Sequence, residues 1–263
     1  MKQYNEVAYG EKIYNGGFQS KNYRYDLLIL SKYLKHEKEL TKEQHVEYIT
    51  EFCEKYFTDY NPILCGDMID KAIENGRKLK NKPLVIESIP IYMSEMQAID
   101  KWDICADYKK ILLTMLFDRK LSCESRIQLG EMVDDISLYF KGSPRKYGDV
   151  KKRSKIKGKY DIDIVIKELN DLGIVESKYK GDIVLKFAEG IEYGEIFYNV
   201  KEIDFDKVGL VYDYYKGDKV KECAFCGVLI KVTTSNNLYC ETCKKEKQLE
   251  HQRESMKKKR QVK

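Results

Sequence analysis

Residues 223–243 read CAFCGVLIKVTTSNNLYCETC. Two Cys-x-x-Cys pairs, Cys223/Cys226 and Cys240/Cys243, are separated by thirteen residues. Each pair can make a tight turn that aims two thiolates into one site, and two such turns complete a tetrahedral four-cysteine shell for a single Zn2+. Between the pairs, residues 228–232 (VLIKV) have β-character, residues 233–237 are turn-rich, and Leu238 and Tyr239 lead back towards the second pair. Gly227 falls where the backbone must bend past the metal. Four thiolates leave no position for water or substrate, so the expected role of the zinc is structural.

Outward from that stretch, the 263-residue chain is long enough for one large or two small domains, each with its own core. A hydrophobic content of 43% and a mean hydropathy of −0.57 fit a folded, soluble protein. The first seventeen residues lack an apolar signal core, and no run approaches eighteen apolar residues, so a cytoplasmic protein without a membrane partner is expected. The other four cysteines, Cys53, Cys65, Cys105 and Cys123, lack paired spacing and read as buried free thiols in a reducing compartment. Charge is unevenly distributed. Of the net +5, residues 143–159 (SPRKYGDVKKRSKIKGK) carry +7 and residues 244–263 carry +6, leaving −8 on the remainder. Two basic segments on an acidic body point to local contacts with polyanions.

In the N-terminal third, residues 1–20 are rich in Tyr and Gly and read as an arm or an edge strand. Helical periodicity follows over 23–38, and again from Thr41, whose spacing to Gln44 matches a capping box. Asn61-Pro62 breaks that helix, Ile69, Ala72 and Ile73 mark a third that ends near Asn75-Gly76, and residues 84–91 (LVIESIPI) read as a strand. His36 and His45 lie on polar helix faces without a Cys or His partner at metal spacing, so both are expected at the surface. Ser94 and Gln97 suggest another capping box; an apolar stripe covers 106–117, and a further helix-like pattern covers 127–140.

Beyond the basic segment and its short stretch at 150–156, residues 160–172 (YDIDIVIKELNDL) place Ile162, Val165, Ile166, Leu169 and Leu172 on one helical face, with Gly173 positioned to close the helix. Residues 174–179 and 183–187 then flank Lys180-Gly181-Asp182 as a hairpin. Residues 192–215 read as two or three aromatic-rich strands, whose tyrosines are half-buried sheet residues. The tail after Cys243 favours helix but is polar almost all round.

The Cys pairs resemble a zinc ribbon, and residues 106–188 resemble a winged helix-turn-helix domain. Together with the tail sequence 239–260 (YCETCKKEKQLEHQRESMKKKR), they are similar to proteins of phages and integrated elements of low-GC Gram-positive bacteria. The expected class is α+β and multidomain: a helical domain (1–92), a winged-helix-like domain with following strands (93–215), a zinc ribbon (216–243) and a basic helical tail (244–263). The resemblance implies a role in replication, regulation or host interaction. In a winged helix the last helix usually enters the major groove, with the wing beside it. Here that helix displays Asp161, Asp163, Glu168 and Asp171, which suit phosphates poorly. The expected nucleic-acid contacts are therefore Arg145, Lys146, Lys151, Lys152, Arg153, Lys155, Lys157 and Lys159, Lys178 and Lys180 on the wing, and Lys257, Lys258, Lys259 and Arg260 in the tail. No Walker loop, nuclease carboxylate cluster, recombinase signature or primase motif accompanies them, and no catalytic residue is assigned. The leading expectation is a zinc-stabilised nucleic-acid-binding protein, with DNA preferred to RNA. The alternative is an interaction factor whose acidic surface occupies a host nucleic-acid enzyme.

Overall fold

The computed structural model describes residues 3–78, 80–131, 139–232 and 237–261. It is a mixture of helices and small antiparallel sheets, divided into two compact units. Unit 1 comprises residues 1–87 and 122–134; unit 2 comprises residues 88–121 and 135–263.

Unit 1 is built on α1 (Glu6–Gly16), α2 (Tyr23–His36), α3 (Lys42–Tyr56) and α4 (Pro62–Gly76). The expected N-terminal arm or edge strand is thus a helix. Asn5 caps it by accepting the Ala8 N–H at 2.9 Å, and Gly10 brings it against α2, where a Cβ would lie 2.7 Å from that of Tyr33. Only Ile13 and flanking tyrosines mark its inner face, a pattern too sparse to register as apolar periodicity. The Thr41–Gln44 capping box forms as read, and α4 begins on an Asn61 cap with Pro62 in its first turn. The core packs Leu27, Ile29, Leu30 and Leu34 of α2 with Ile49, Phe52, Ile69 and Ile73. His45 is fully buried, not at the surface. The Arg77 guanidinium donates to its Nδ1 at 3.2 Å, placing the ring proton on Nε2. Burial, reinforced by the Arg77 charge, holds its pKa near 4.

Unit 2 begins with β1 (Ser88–Tyr92), shorter than the 84–91 run, because Glu6 and Ile86 make backbone bonds that tie this stretch to the N-terminus. Helix α5 (Met93–Asp100) is closed by Glu95 accepting the Tyr92 N–H at 2.9 Å; Ser94 lies inside the helix and does not cap it. Helix α6 (Ala106–Gln128) absorbs the start of the 127–140 pattern, and its first sixteen residues belong to unit 2. Gly130, at φ +77°, ends the helical path, while Phe140 belongs to β2 (Tyr139–Lys141). Met132, Val133 and Ile136 lie outside the described residues.

The basic segment is itself a helix, α7 (Pro144–Ser154), capped by Ser143 and stopped at Lys155, whose φ of +49° no helix continues. Then come α8 (Ile162–Asp171), β3 (Glu176–Ser177), a single 3-10 turn at Tyr179–Gly181, and β4 (Asp182–Val184). Gly173, at φ +70°, turns the chain out of α8 as expected. The three short strands form an antiparallel sheet in the order β2-β4-β3.

The aromatic stretch 192–215 yields one strand, β5 (Ile196–Lys201), paired with β1, a 3-10 turn at Glu202–Asp204, and one α-helix, α9 (Gly209–Tyr215). The run VGLVYDYY becomes helix because Gly209 lets its backbone approach the end of α7: a Cβ there would lie 1.7 Å from the Ser154 carbonyl oxygen. Tyr198 and Tyr212 are buried; Phe197, Tyr214 and Tyr215 are half-buried, and Tyr193 is exposed. Last come β6 (Val220–Glu222), β7 (Leu229–Lys231) and α10 (Glu241–Gln261).

Candidate metal centre

Strands β6 and β7 pair antiparallel, with Glu222 opposite Leu229, so residues 223–228 are forced into the intervening turn. Cys223 N–H donates to the Val228 carbonyl at 2.8 Å and Gly227 N–H to the Cys223 carbonyl at 2.9 Å. Gly227 completes the bend at φ +72°, a conformation that suits glycine. The second pair lies at the start of a helix. Cys240 directly precedes α10 and Cys243 lies in its first turn. The centre is therefore a hairpin knuckle facing a helix N-terminus, and the partial positive charge of that terminus favours thiolates.

The four Sγ atoms lie within 4.8 Å of one another, with Cys226 and Cys240 3.7 Å apart. A tetrahedral site with metal–sulfur bonds of about 2.3 Å has edges of about 3.8 Å, so the donors already stand near metal-binding separation. Cys223, Cys240 and Cys243 are buried and Cys226 half-buried, packed with Val228, Ile230 and Tyr239. Backbone N–H groups serve the sulfurs: Cys240 N–H donates to Cys223 Sγ at 3.3 Å and Cys243 N–H to Cys240 Sγ at 3.4 Å. Burial pushes the Cys223 thiol up, but N–H groups of Cys226, Cys240 and Phe225 more than offset it, leaving it near 6. Burial raises Cys226 and Cys243. The donor set can hold one metal ion and closes the shell around it.

Three residues outside the Cys motif hold the knuckle. Lys201 Nζ donates to the Cys226 carbonyl at 2.7 Å, and the Tyr198 hydroxyl to the Gly227 carbonyl at 3.0 Å. The buried carboxylate of Asp204 accepts the Leu229 N–H at 3.1 Å. Each lies at least 25 residues upstream of the residue it holds, and nothing in the motif's spacing marks them. Among the described residues, no other group of three or more His, Cys, Asp or Glu side chains gathers for an ion; Asp161, Asp163 and Glu168 are not brought together. Cys53 is buried, its thiol pushed up to about 12 by desolvation, whereas Cys105 is exposed, contrary to its expected burial.

The basic residues separate into two classes. Arg153 is nearly buried against the Asp118 carboxylate, Lys152 pairs with Asp206 at 2.7 Å, Lys178 pairs with Glu176, and Lys151 donates to the Tyr160 carbonyl at 2.6 Å. Arg145, Lys146, Lys155, Lys157 and Lys159 have no ion pair among the described residues; Arg145, Lys157 and Lys159 are exposed. The side chains of Lys180, Lys257, Lys258, Lys259 and Arg260 lie outside the described residues.

No helix among the described residues is long and apolar enough to cross a membrane. A scan against protein-family models, a search of curated proteins and a search of solved structures each returned no match.

Proposed function

We propose that the chain is a zinc-stabilised, non-enzymatic nucleic-acid-binding protein, acting on DNA in replication or regulation within a phage or mobile element. The observation that supports this reading is the order α6-β2-α7-α8-β3-β4 with its β2-β4-β3 sheet, an order compatible with a winged helix-turn-helix. The unpaired cations lie on α7 and on the turn into α8, where phosphates flanking a groove would be met. Zinc fits the four-thiolate set, joins the knuckle to α10, and so roots the basic tail.

Salt dependence tests the reading. If Arg145, Lys146, Lys155, Lys157 and Lys159 each neutralise one duplex phosphate, log K falls against log salt with a slope of about −4 to −5. A flat response from 50 to 200 mM salt refutes it.

A specific observation favours a second reading. Helix α8 displays Asp163, Glu168 and Asp171 together with exposed Ile164 and Leu172, a surface suited to the basic channel of a host nucleic-acid enzyme. Capture of such an enzyme that survives nuclease treatment, together with a flat salt response on DNA, supports that reading over direct binding.

A further inference from the structure

At the tip of the metal knuckle, Phe225 is 68% exposed although it lies between Cys223 and Cys226 of the centre. Burying a phenylalanine is worth about 2 kcal/mol to a fold, yet this ring contributes little to the packing around the metal. Its backbone is nevertheless firmly placed. Cys223 and Cys226 bracket it, and the neighbouring Ala224 N–H donates to the Leu238 carbonyl at 3.0 Å. That bond brings a second exposed apolar residue, Leu238, to the same knuckle.

A cation borders this apolar tip: Lys201 Nζ sits on the Cys226 carbonyl, and Lys244 and Lys245 stand exposed on α10 just after Cys243 in the chain. The acids here are Glu222, which receives the Tyr214 hydroxyl, and Glu241 and Glu246 on α10. A rigid, outward aromatic ring with the Lys201 ammonium beside it complements an unpaired nucleobase and its phosphate. Duplex bases have both faces covered by their neighbours and offer such a ring nothing to stack on.

We infer that Phe225 is a stacking platform for an unpaired base, making the metal knuckle a single-strand contact in addition to the duplex-directed cations of α7. This rests on the nucleic-acid-binding reading above and adds a substrate class to it.

The test uses the zinc-loaded full chain with fluorescein-labelled dT20 and a 20-base-pair duplex, comparing wild type with Phe225→Ala and Phe225→Trp. Zinc content and thermal midpoint are measured for each, since an exposed ring is expected to leave both unchanged. The expected result for Phe225→Ala is a loss of about 5- to 150-fold on dT20 with duplex affinity unchanged, while Phe225→Trp retains single-strand binding. Equal dT20 binding by wild type and Phe225→Ala overturns the inference and leaves the nucleic-acid reading standing. An equal loss on both probes also overturns it, because a base-stacking contact must distinguish the two. If wild type binds neither probe in a salt-dependent manner, both readings fall.

Discussion

Replacing Arg153 separates cations that hold the fold from cations free to meet phosphate. Arg153 lies in the most basic stretch of the chain, and its side chain is 11% exposed against an Asp118 side chain that is 2% exposed. Burial pushes the Asp118 carboxyl up, opposed chiefly by the Arg153 guanidinium and by Lys146. Its second oxygen has no hydrogen-bond partner among the described residues. Arg153→Gln strands that carboxylate, and losing one partner of a buried pair costs about 3–5 kcal/mol. Lys157→Gln changes an exposed residue and costs within about 0.5 kcal/mol, but lowers the magnitude of the duplex salt slope by about 0.9 if Lys157 meets a phosphate. Trp102, the single tryptophan, lies in unit 2, so urea unfolding followed by its fluorescence reports on the relevant unit. Adding Asp118→Asn to Arg153→Gln removes the stranded charge and is expected to recover most of the lost stability. If Arg153→Gln unfolds within about 1 kcal/mol of wild type while the salt slope falls, Arg153 is a phosphate contact and the assignment to the fold is wrong.

Further outcomes follow from the same geometry. Native mass spectrometry is expected to find one zinc per chain, and Cys240→Ser or chelation to speed hydrogen exchange over 219–232 and 237–245 while the α2 and α3 core stays protected. His45, near 4 in the fold against 6.5 ordinarily, is bound neutral, so its contribution is full above pH 6.5 and is lost as pH falls through 4. Chemical unfolding followed by circular dichroism should show a decline of up to about 3 kcal/mol across that window, absent in His45→Gln. Gly209→Ala drives a Cβ into the Ser154 carbonyl and is expected to lower the Trp102-monitored stability by about 1–3 kcal/mol or more.

The candidate metal centre was legible because metal ligation imposes residue type and spacing at short range. Cys223 and Cys226 had to share a turn, and Gly227 had to permit it, before any tertiary contact was known. Helices α2, α3, α4 and α8 were legible for a related reason: a dense apolar face repeats every turn, and Thr41, Asn61 and Gly173 announce their ends locally. These properties belong to the sequence alone, since they depend on neighbours within a few residues.

What tertiary structure decided is where contacts cross long stretches of chain. Residues 6–16 become helix because Gly10 and Ile13 meet α2, and VGLVYDYY becomes helix because Gly209 meets Ser154, 55 residues earlier. His45 is buried because α3 turns that side inward, where the Arg77 guanidinium meets its ring. Most consequentially for function, eight cations in one segment look alike as a charge run. Asp118 and Asp206, 35 and 53 residues from Arg153, engage Arg153 and Lys152 and leave others unpaired. Charge can be counted along a chain, but its availability depends on which carboxylates the fold brings beside it.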